Sequence, residues 1–81
     1  MSMVTVQLFA SYAEALGGST LQIPFENGTR VADLVRSIRA LPGGRSVPPS
    51  PRVAINRKFA TAEQLIRKDD EIAVIPPVAG G

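Results

Sequence analysis

The part of this sequence best suited to chemistry is its carboxyl end, Pro-Pro-Val-Ala-Gly-Gly, residues 76–81. Glycine has no β-carbon, so Gly80 and Gly81 let the backbone and its terminal carboxylate enter a channel that a larger residue would block. A carboxylate is a poor electrophile and reacts as an acyl group only after activation. The pattern therefore predicts that the carboxylate of Gly81 is the working group and that another protein activates it.

The two prolines before this end predict where the folded body stops. Pro76 and Pro77 have no N–H to donate to a sheet, so a strand cannot continue past Ile75. Their fixed φ favours an extended chain, which gives residues 76–81 a reach of about 20 Å. At a glycine frequency of about 7%, two specified positions are both glycine about once in 200 chains. A frayed terminus without a function is the alternative interpretation.

The rest of the composition offers few reactive groups. The sequence has no cysteine and no histidine, which excludes thiol nucleophiles, disulfides, the usual zinc sites and every Ser-His or Cys-His pair. The acidic run Asp69–Glu71 lacks the spacing of a calcium loop and is expected to cap a turn. We therefore expect no metal site and no catalytic constellation within the chain.

Charge and hydropathy narrow the classes of partner. The net charge is +2, and only four residues are aromatic. Because no basic run is interleaved with aromatic residues, a nucleic-acid partner is not expected. No apolar run approaches the roughly 18 residues of a membrane span, and no signal peptide is recognisable. The expectation is a cytoplasmic protein that has neither a nucleic-acid nor a membrane partner.

Hydrophobic periodicity predicts the order of the elements. Residues 3–9 alternate strictly, with Val4, Val6 and Leu8 on one face, and predict a half-buried strand. The other elements predicted are a short helix over 12–16 closed by Gly17-Gly18, a strand through Leu21 and Ile23, a turn at Asn27-Gly28, a strand over 52–56, a turn at Asn56-Arg57, a brief strand over 58–60, a helical turn over 62–66 and a last strand ending at Ile75.

One longer helix is predicted between the second and third strands. Its apolar face, at helical spacing, consists of Val31, Leu34, Val35, Ile38 and Leu41. Thr29 is the expected N-cap, and Asp33 lies in the first turn, where the helix dipole favours an acidic side chain. Pro42-Gly43-Gly44 is expected to stop the helix, and residues 42–51 to form one long loop.

A single amphipathic helix needs one sheet face to cover its apolar stripe. The economical arrangement is an α+β fold in which a mixed sheet of four or five strands packs on one main helix. The long connections permit the first and last strands to pair in parallel at the middle of the sheet. This is the β-grasp, or ubiquitin-like, fold, predicted over residues 1–75 with an extended tail over residues 76–81.

The sequence also resembles a known family. The stretches that carry the resemblance are LFA (8–10), G-x-x-VADL (28–34), VAIN (53–56), KDDEIAVI (68–75) and above all PPVAGG (76–81). Together they look like the small subunit of molybdopterin synthase, a MoaD-type, ubiquitin-like sulfur carrier. The sequence departs from the family pattern at residues 11–13 and in the proline-rich loop over 42–51, and both departures are expected to lie far from the terminus.

The resemblance implies a mechanism and a set of partners. An ATP-dependent, ubiquitin-activating-like enzyme adenylates the carboxylate of Gly81, and a sulfur donor displaces AMP to leave a thiocarboxylate. The tail residues Pro76, Pro77, Val78, Ala79 and Gly80 then insert into the large synthase subunit within a heterotetramer. There the sulfur attacks a cyclic pterin phosphate precursor. The chain is thus expected to bind no permanent cofactor and to contribute the sulfur-donating end of a sulfurtransferase.

Contacts with the partner are expected on apolar residues that alternation points away from the core. These are Ile75, Phe9 and Phe59, although ordinary packing is an open alternative for each. Arg57 and Lys58 are expected to be solvated residues of a turn.

Other functions are compatible with the same ending. A sulfur carrier for thiamine synthesis or tRNA thiolation also needs a terminal glycine pair. A protein modifier would instead join Gly81 to a lysine, as ubiquitin does. A plain β-grasp binding module would have a tail without function.

Overall fold

A computed structural model describes residues 2–77 of the chain. Its elements in chain order are strand β1 (Ser2–Leu8), helix α1 (Ala10–Leu16), strand β2 (Thr20–Phe25), helix α2 (Val31–Arg39), a 3₁₀ turn (Gly44–Ser46), and strands β3 (Arg52–Ile55), β4 (Lys58–Ala60) and β5 (Ile72–Ile75). The predicted order of strands and helices is confirmed, and α1 begins two residues before the predicted start.

The strands form one mixed, five-stranded sheet in the order β2-β1-β5-β3-β4. The first and last strands pair in parallel, with Leu8 beside Val74, and the other three pairings are antiparallel. Helix α2 covers one face of this sheet, and the side chains between them form the core. The α+β, β-grasp fold predicted from the sequence is confirmed, as is the parallel pair at its centre.

The alternation of strand residues separates an inner from an outer sheet face. Val4, Val6 and Leu8 of β1 point inward and are almost completely buried. On β5, Ile72 and Val74 have no exposed surface, whereas Ala73 and Ile75 are half-buried on the outer face. The predicted faces of both strands are therefore confirmed.

Helix α2 differs from its prediction at both ends. Arg30, not Thr29, occupies the N-cap position, because the helix begins at Val31 and Arg30 still has an extended backbone. The carboxylate of Asp33 accepts the N–H of Arg30 at 2.9 Å. The hydroxyl of Thr29 instead accepts the N–H of Glu26, at 3.1 Å, in the preceding turn. At the other end the helix stops at Arg39, so Leu41 lies beyond the buried face and is exposed.

The helical turn predicted over residues 62–66 was wrong. Gln64 donates to Thr61 in a simple turn, and Leu65 forms an isolated antiparallel bridge with Arg30. The backbone of this segment is hydrogen-bonded to the residues around the start of α2. The N–H of Val31 donates to the carbonyl of Gln64, and the N–H of Ile66 donates to the carbonyl of Thr29, both at 2.9 Å. Hydrogen bonds to a distant segment therefore replace the local helical ones.

The proline-rich loop is anchored rather than free. Its Val47 is completely buried, and the carbonyl of Val47 accepts a hydrogen bond from Nε of Arg39 at 2.8 Å. Gly43 lies so close to α1 that a β-carbon at this position would overlap the carbonyl oxygen of Ala15. The contact of this glycine with α1 fixes the start of the loop against the body.

This contact makes a testable prediction for Gly43. Gly17 and Gly43 share a left-handed backbone, with φ of 81° and 82°, but nothing lies within 4 Å of a β-carbon at Gly17. We expect Gly17→Ala to lower the free energy of unfolding by about 1–2 kcal/mol, the cost of left-handed φ alone. Gly43→Ala adds the overlap and is expected to lower it by about 1–3 kcal/mol more. Urea unfolding measures both, and equal losses would contradict the close approach.

Candidate functional site at the base of the tail

Strand β5 carries the tail and lies near the middle of the sheet. It is hydrogen-bonded to β1 on one side and to β3 on the other, and its inward side chains, Ile72 and Val74, are completely buried. The strand ends at Ile75, immediately before the two prolines. Pro76 is half-buried and Pro77 is exposed, so the chain passes from the core to the surface within three residues.

The end that the sequence predicts to be reactive falls on residues that the structure does not describe. The predictions for Val78, Ala79, Gly80 and Gly81 lie outside residues 2–77. They stay predictions. The structure describes the surface around Ile75, Pro76 and Pro77, where the tail begins.

A shallow, open groove lies at that point of departure. Its volume is about 340 Å³. It is lined by Tyr12, Pro48, Ser50, Pro51, Arg52, Ile75 and Pro77. One wall thus comes from α1 and another from the proline-rich loop.

The expectation that the two unusual segments lie far from the terminus was therefore wrong. Parallel strands end at the same edge of a sheet, so α1 and its Tyr12, which follow β1, lie beside the end of β5. Strand β3 is antiparallel to β5, and its first residue, Arg52, pairs with Ile75. This register brings Pro51 and the loop before it to the base of the tail.

The outer face of the sheet next to this groove carries an apolar patch. We define the apolar patch as Phe9, Ala54, Phe59, Ala73 and Ile75. Ala73, Ala54 and Phe59 are neighbours across three strands in one row of the sheet. Phe9 and Ile75 each lie one residue beyond the parallel pair Leu8–Val74, at the same end of the two strands.

The three residues proposed from the sequence as partner contacts thus share one face. The side chain of Phe59 is 69% exposed and that of Phe9 is 46% exposed, whereas Ile75 is half-buried. None of the three belongs to the inward-facing core. Their accessibility makes an interaction surface possible. Ile75 places one end of this surface at the base of the tail, and Phe59 lies farther away, on the edge strand β4.

The structure adds Arg52, which the sequence did not single out. Arg52 pairs with Ile75 across the β3–β5 ladder, and its guanidinium carbon lies 5.3 Å from the ring centroid of Phe59. A cation at that distance from an aromatic face is attracted by the ring quadrupole. Consecutive strand residues point to opposite faces, so the apolar Val53 indicated that Arg52 points to the outer face of the sheet. Its neighbours on that face follow only from the strand register.

The acidic run before β5 has a structural role. Asp70 accepts the N–H of Arg67 at 2.8 Å and the side-chain amide of Asn56 at 3.0 Å. Asn56 in turn accepts the N–H of Glu71 at 2.9 Å. The expectation that this run caps a turn is confirmed, and the same bonds join the β3–β4 turn, where Arg57 is exposed, to the start of β5.

Within the described part of the chain, no group of three or more Asp and Glu side chains is arranged to hold a metal ion. None of the helices between residues 2 and 77 has the length and apolar character needed to span a bilayer.

Comparison with known proteins identifies relatives along the full length of the chain. The ThiS family model matches residues 6–81. The molybdopterin synthase sulfur carrier subunit of Haemophilus influenzae is 32% identical, over 98% of this chain and 100% of that protein. The protein of the same name from Dictyostelium discoideum is 31% identical, over 94% of this chain and 93% of that protein.

Solved structures share the fold. The small archaeal modifier protein 1 of Haloferax volcanii superposes with a TM-score of 0.84 at 22% identity, over 96% of this chain and 100% of that chain. A chain of the complex between subunits 1 and 2 of the molybdopterin-converting factor of Helicobacter pylori gives 0.71 at 20% identity, over 99% and 100%. Because the family model matches nearly the whole sequence and extends through Gly81, the chain belongs to the ThiS family.

Proposed function

We propose that this chain is the sulfur carrier subunit of molybdopterin synthase. The observation that carries the proposal is the full-length similarity to proteins of that name, at 31% and 32% identity. The family match includes the Pro-Pro-Val-Ala-Gly-Gly end, on which a carrier's chemistry depends.

The proposed chemistry proceeds at the carboxylate of Gly81. A carboxylate oxygen attacks the α-phosphorus of ATP on an activating enzyme, which releases pyrophosphate and leaves a mixed anhydride with AMP. A donor of sulfide-level sulfur then attacks the acyl carbon, and the C–O bond to AMP breaks. The product is a C-terminal thiocarboxylate, whose sulfur is the nucleophile toward the pterin precursor.

The folded body contributes position to this chemistry. Strand β5 is held on both sides up to Ile75, and Pro76 and Pro77 cannot extend its pairing. In the proposal, Val78, Ala79 and Gly80 carry the reactive end into a partner's pocket, and glycine keeps that end narrow. The pocket and its basic residues belong to the partner, the large synthase subunit.

The apolar patch is the proposed docking surface for that large subunit. An interface needs an apolar centre that loses its water on association, and exposed aromatic residues are enriched among those that dominate binding. Phe9 and Phe59 meet this requirement, with Ile75 at the point where the tail begins. One structural relative is a chain of the complex between subunits 1 and 2 of the molybdopterin-converting factor of Helicobacter pylori, which supports a two-subunit assembly.

A protein modifier is the second candidate. It is favoured by the fold shared with the small archaeal modifier protein of Haloferax volcanii. Both functions begin with adenylation of a terminal glycine, and they differ in the nucleophile that follows. Sulfur gives a thiocarboxylate, whereas a lysine amine gives an isopeptide bond.

The first prediction of this proposal concerns the mass of the chain. After incubation with the activating enzyme, ATP and a sulfide-level donor, intact mass spectrometry is expected to show one oxygen replaced by sulfur. A variant with one alanine added after Gly81 is expected to stay unmodified, because the β-carbon widens the end that enters the activating site. An alanine added at the amino end is the control and is expected to react normally.

The outcomes separate the candidates. Adducts with the mass of a second protein, and no thiocarboxylate, would favour the modifier. Normal reaction of the chain that carries the additional carboxyl-terminal alanine, without trimming, would contradict Gly81 as the reacting residue.

The second prediction concerns docking. Replacing Ile75 by Glu places an unpaired charge in the centre of the proposed interface, where desolvation of a lone charge is costly. We expect Ile75→Glu to weaken binding to the large subunit by more than about 30-fold, equivalent to about 2 kcal/mol. Isothermal titration calorimetry measures the dissociation constants of the complexes that the natural chain and the Ile75→Glu variant form with the large subunit.

The matched control for this prediction is Leu41→Glu. Leu41 is an exposed apolar residue that follows α2 and lies outside the apolar patch. The control is expected to bind within about twofold of the natural protein, as a change outside an interface does. Thermal unfolding verifies that both variants fold, and equal affinity of the two variants would contradict docking through the patch.

A further inference from the structure

Arg52 is a charged residue placed beside the apolar patch. It lies directly opposite Ile75 in the β3–β5 ladder, two residues before Ala54, which pairs with Phe59. It also lines the groove from which Pro77 departs. Any partner that covers Ile75 and reaches the tail therefore covers Arg52 as well.

The neighbour found for the guanidinium among the described residues is an aromatic ring and not a carboxylate. The central carbon of the guanidinium lies 5.3 Å from the ring centroid of Phe59. Among residues 2–77 the ion pair found is Arg36–Asp33, on the exposed side of α2. Arg52 thus presents its positive charge at the edge of the patch without neutralisation by a described acidic side chain.

The cost of covering such a charge depends on the partner. A guanidinium buried under an apolar surface loses its hydration and gains no hydrogen bond in return, whereas a carboxylate opposite it supplies charge-assisted hydrogen bonds. The planar guanidinium binds a carboxylate through two parallel hydrogen bonds, which also fixes the orientation of the pair. The same surface therefore favours one class of partner and rejects another.

We infer that Arg52 is a specificity-determining residue of the docking surface. It selects a large subunit whose contact surface is apolar at its centre and presents an Asp or Glu carboxylate opposite Arg52. A subunit with an apolar or basic residue at that position is rejected. The inference rests on the proposed function, because it assigns a chemical feature to the partner that the proposed function names.

The test uses the full chain and the large subunit from the same organism. Dissociation constants are measured by calorimetry at low and at high salt for Arg52→Glu and Arg52→Leu. The control is Arg57→Glu, which makes the same change of charge in the β3–β4 turn, at the opposite end of β3 from the tail.

We expect Arg52→Glu to weaken binding by more than about 30-fold at low salt, since it sets two carboxylates against each other. Arg52→Leu is expected to weaken binding by about tenfold and to remove most of its salt dependence. The Arg57→Glu control is expected to bind within about twofold, because exposed charges outside a contact contribute little.

A charge exchange identifies the partner group. Each Asp and Glu on the contact surface of the large subunit is changed to Lys in turn. We expect one such variant to restore the binding of Arg52→Glu while weakening the binding of the natural chain.

The results distinguish this inference from the proposed function. If Arg52→Glu binds as the natural chain does while Ile75→Glu fails, the role of Arg52 is overturned and the docking surface stands. If Arg52→Glu is weakened but no partner carboxylate restores it, the acidic partner group is overturned. If the natural chain does not bind the large subunit, the proposed function falls and the inference falls with it.

Discussion

The pairing of the last strand between β1 and β3 is the constraint on which the rest of the structure depends. Backbone hydrogen bonds hold β5 on both sides, and the side chains of Ile72 and Val74 are completely buried. Opening such a strand requires loss of much of the core, so it belongs to the most stable part of a small domain. A tail attached to a central strand has a fixed origin and a fixed initial direction, which a tail attached to a frayed edge would lack.

The sequence alone predicted most of the fold, because the periodicity of hydrophobic residues is a local property. Alternation assigned β1 and β5 and their faces, and helical spacing assigned α2. The errors arose where distant segments compete with local ones. Thr29 was a reasonable N-cap by residue type, yet its hydroxyl serves the turn at Glu26, and Asp33 caps the helix through Arg30. The 62–66 segment forms its hydrogen bonds with the start of α2 instead of with itself.

The candidate site was predictable only in part for the same reason. Ile75, Phe9 and Phe59 were proposed from the sequence as partner contacts because each is apolar at an outward position, and their role as contacts stays a prediction. Their arrangement around Arg52 depends on strand order and register, which no local pattern specifies. The proline-rich loop was wrongly expected far from the terminus because Pro51 is distant from Ile75 along the chain, whereas the next residue, Arg52, pairs with Ile75 across the antiparallel ladder.

In the proposed function, the chain separates two tasks that a single active site usually combines. The chemistry takes place at the carboxyl end, and partner recognition takes place on the surface beside the tail. A carboxyl-terminal glycine pair suits any enzyme that adenylates such an end, so it cannot by itself distinguish sulfur transfer from protein modification. In the proposed function, the choice among partners is then a matter of surface recognition. The surface that adjoins the tail combines exposed aromatic side chains with a guanidinium whose central carbon lies 5.3 Å from the ring centroid of one of them. A hydrophobic patch alone would bind many partners with similar affinity, whereas a fixed charge beside it penalises every partner that lacks the matching group. The identity of residue 52 would then matter more for the choice of pathway than the chemistry of the terminus does.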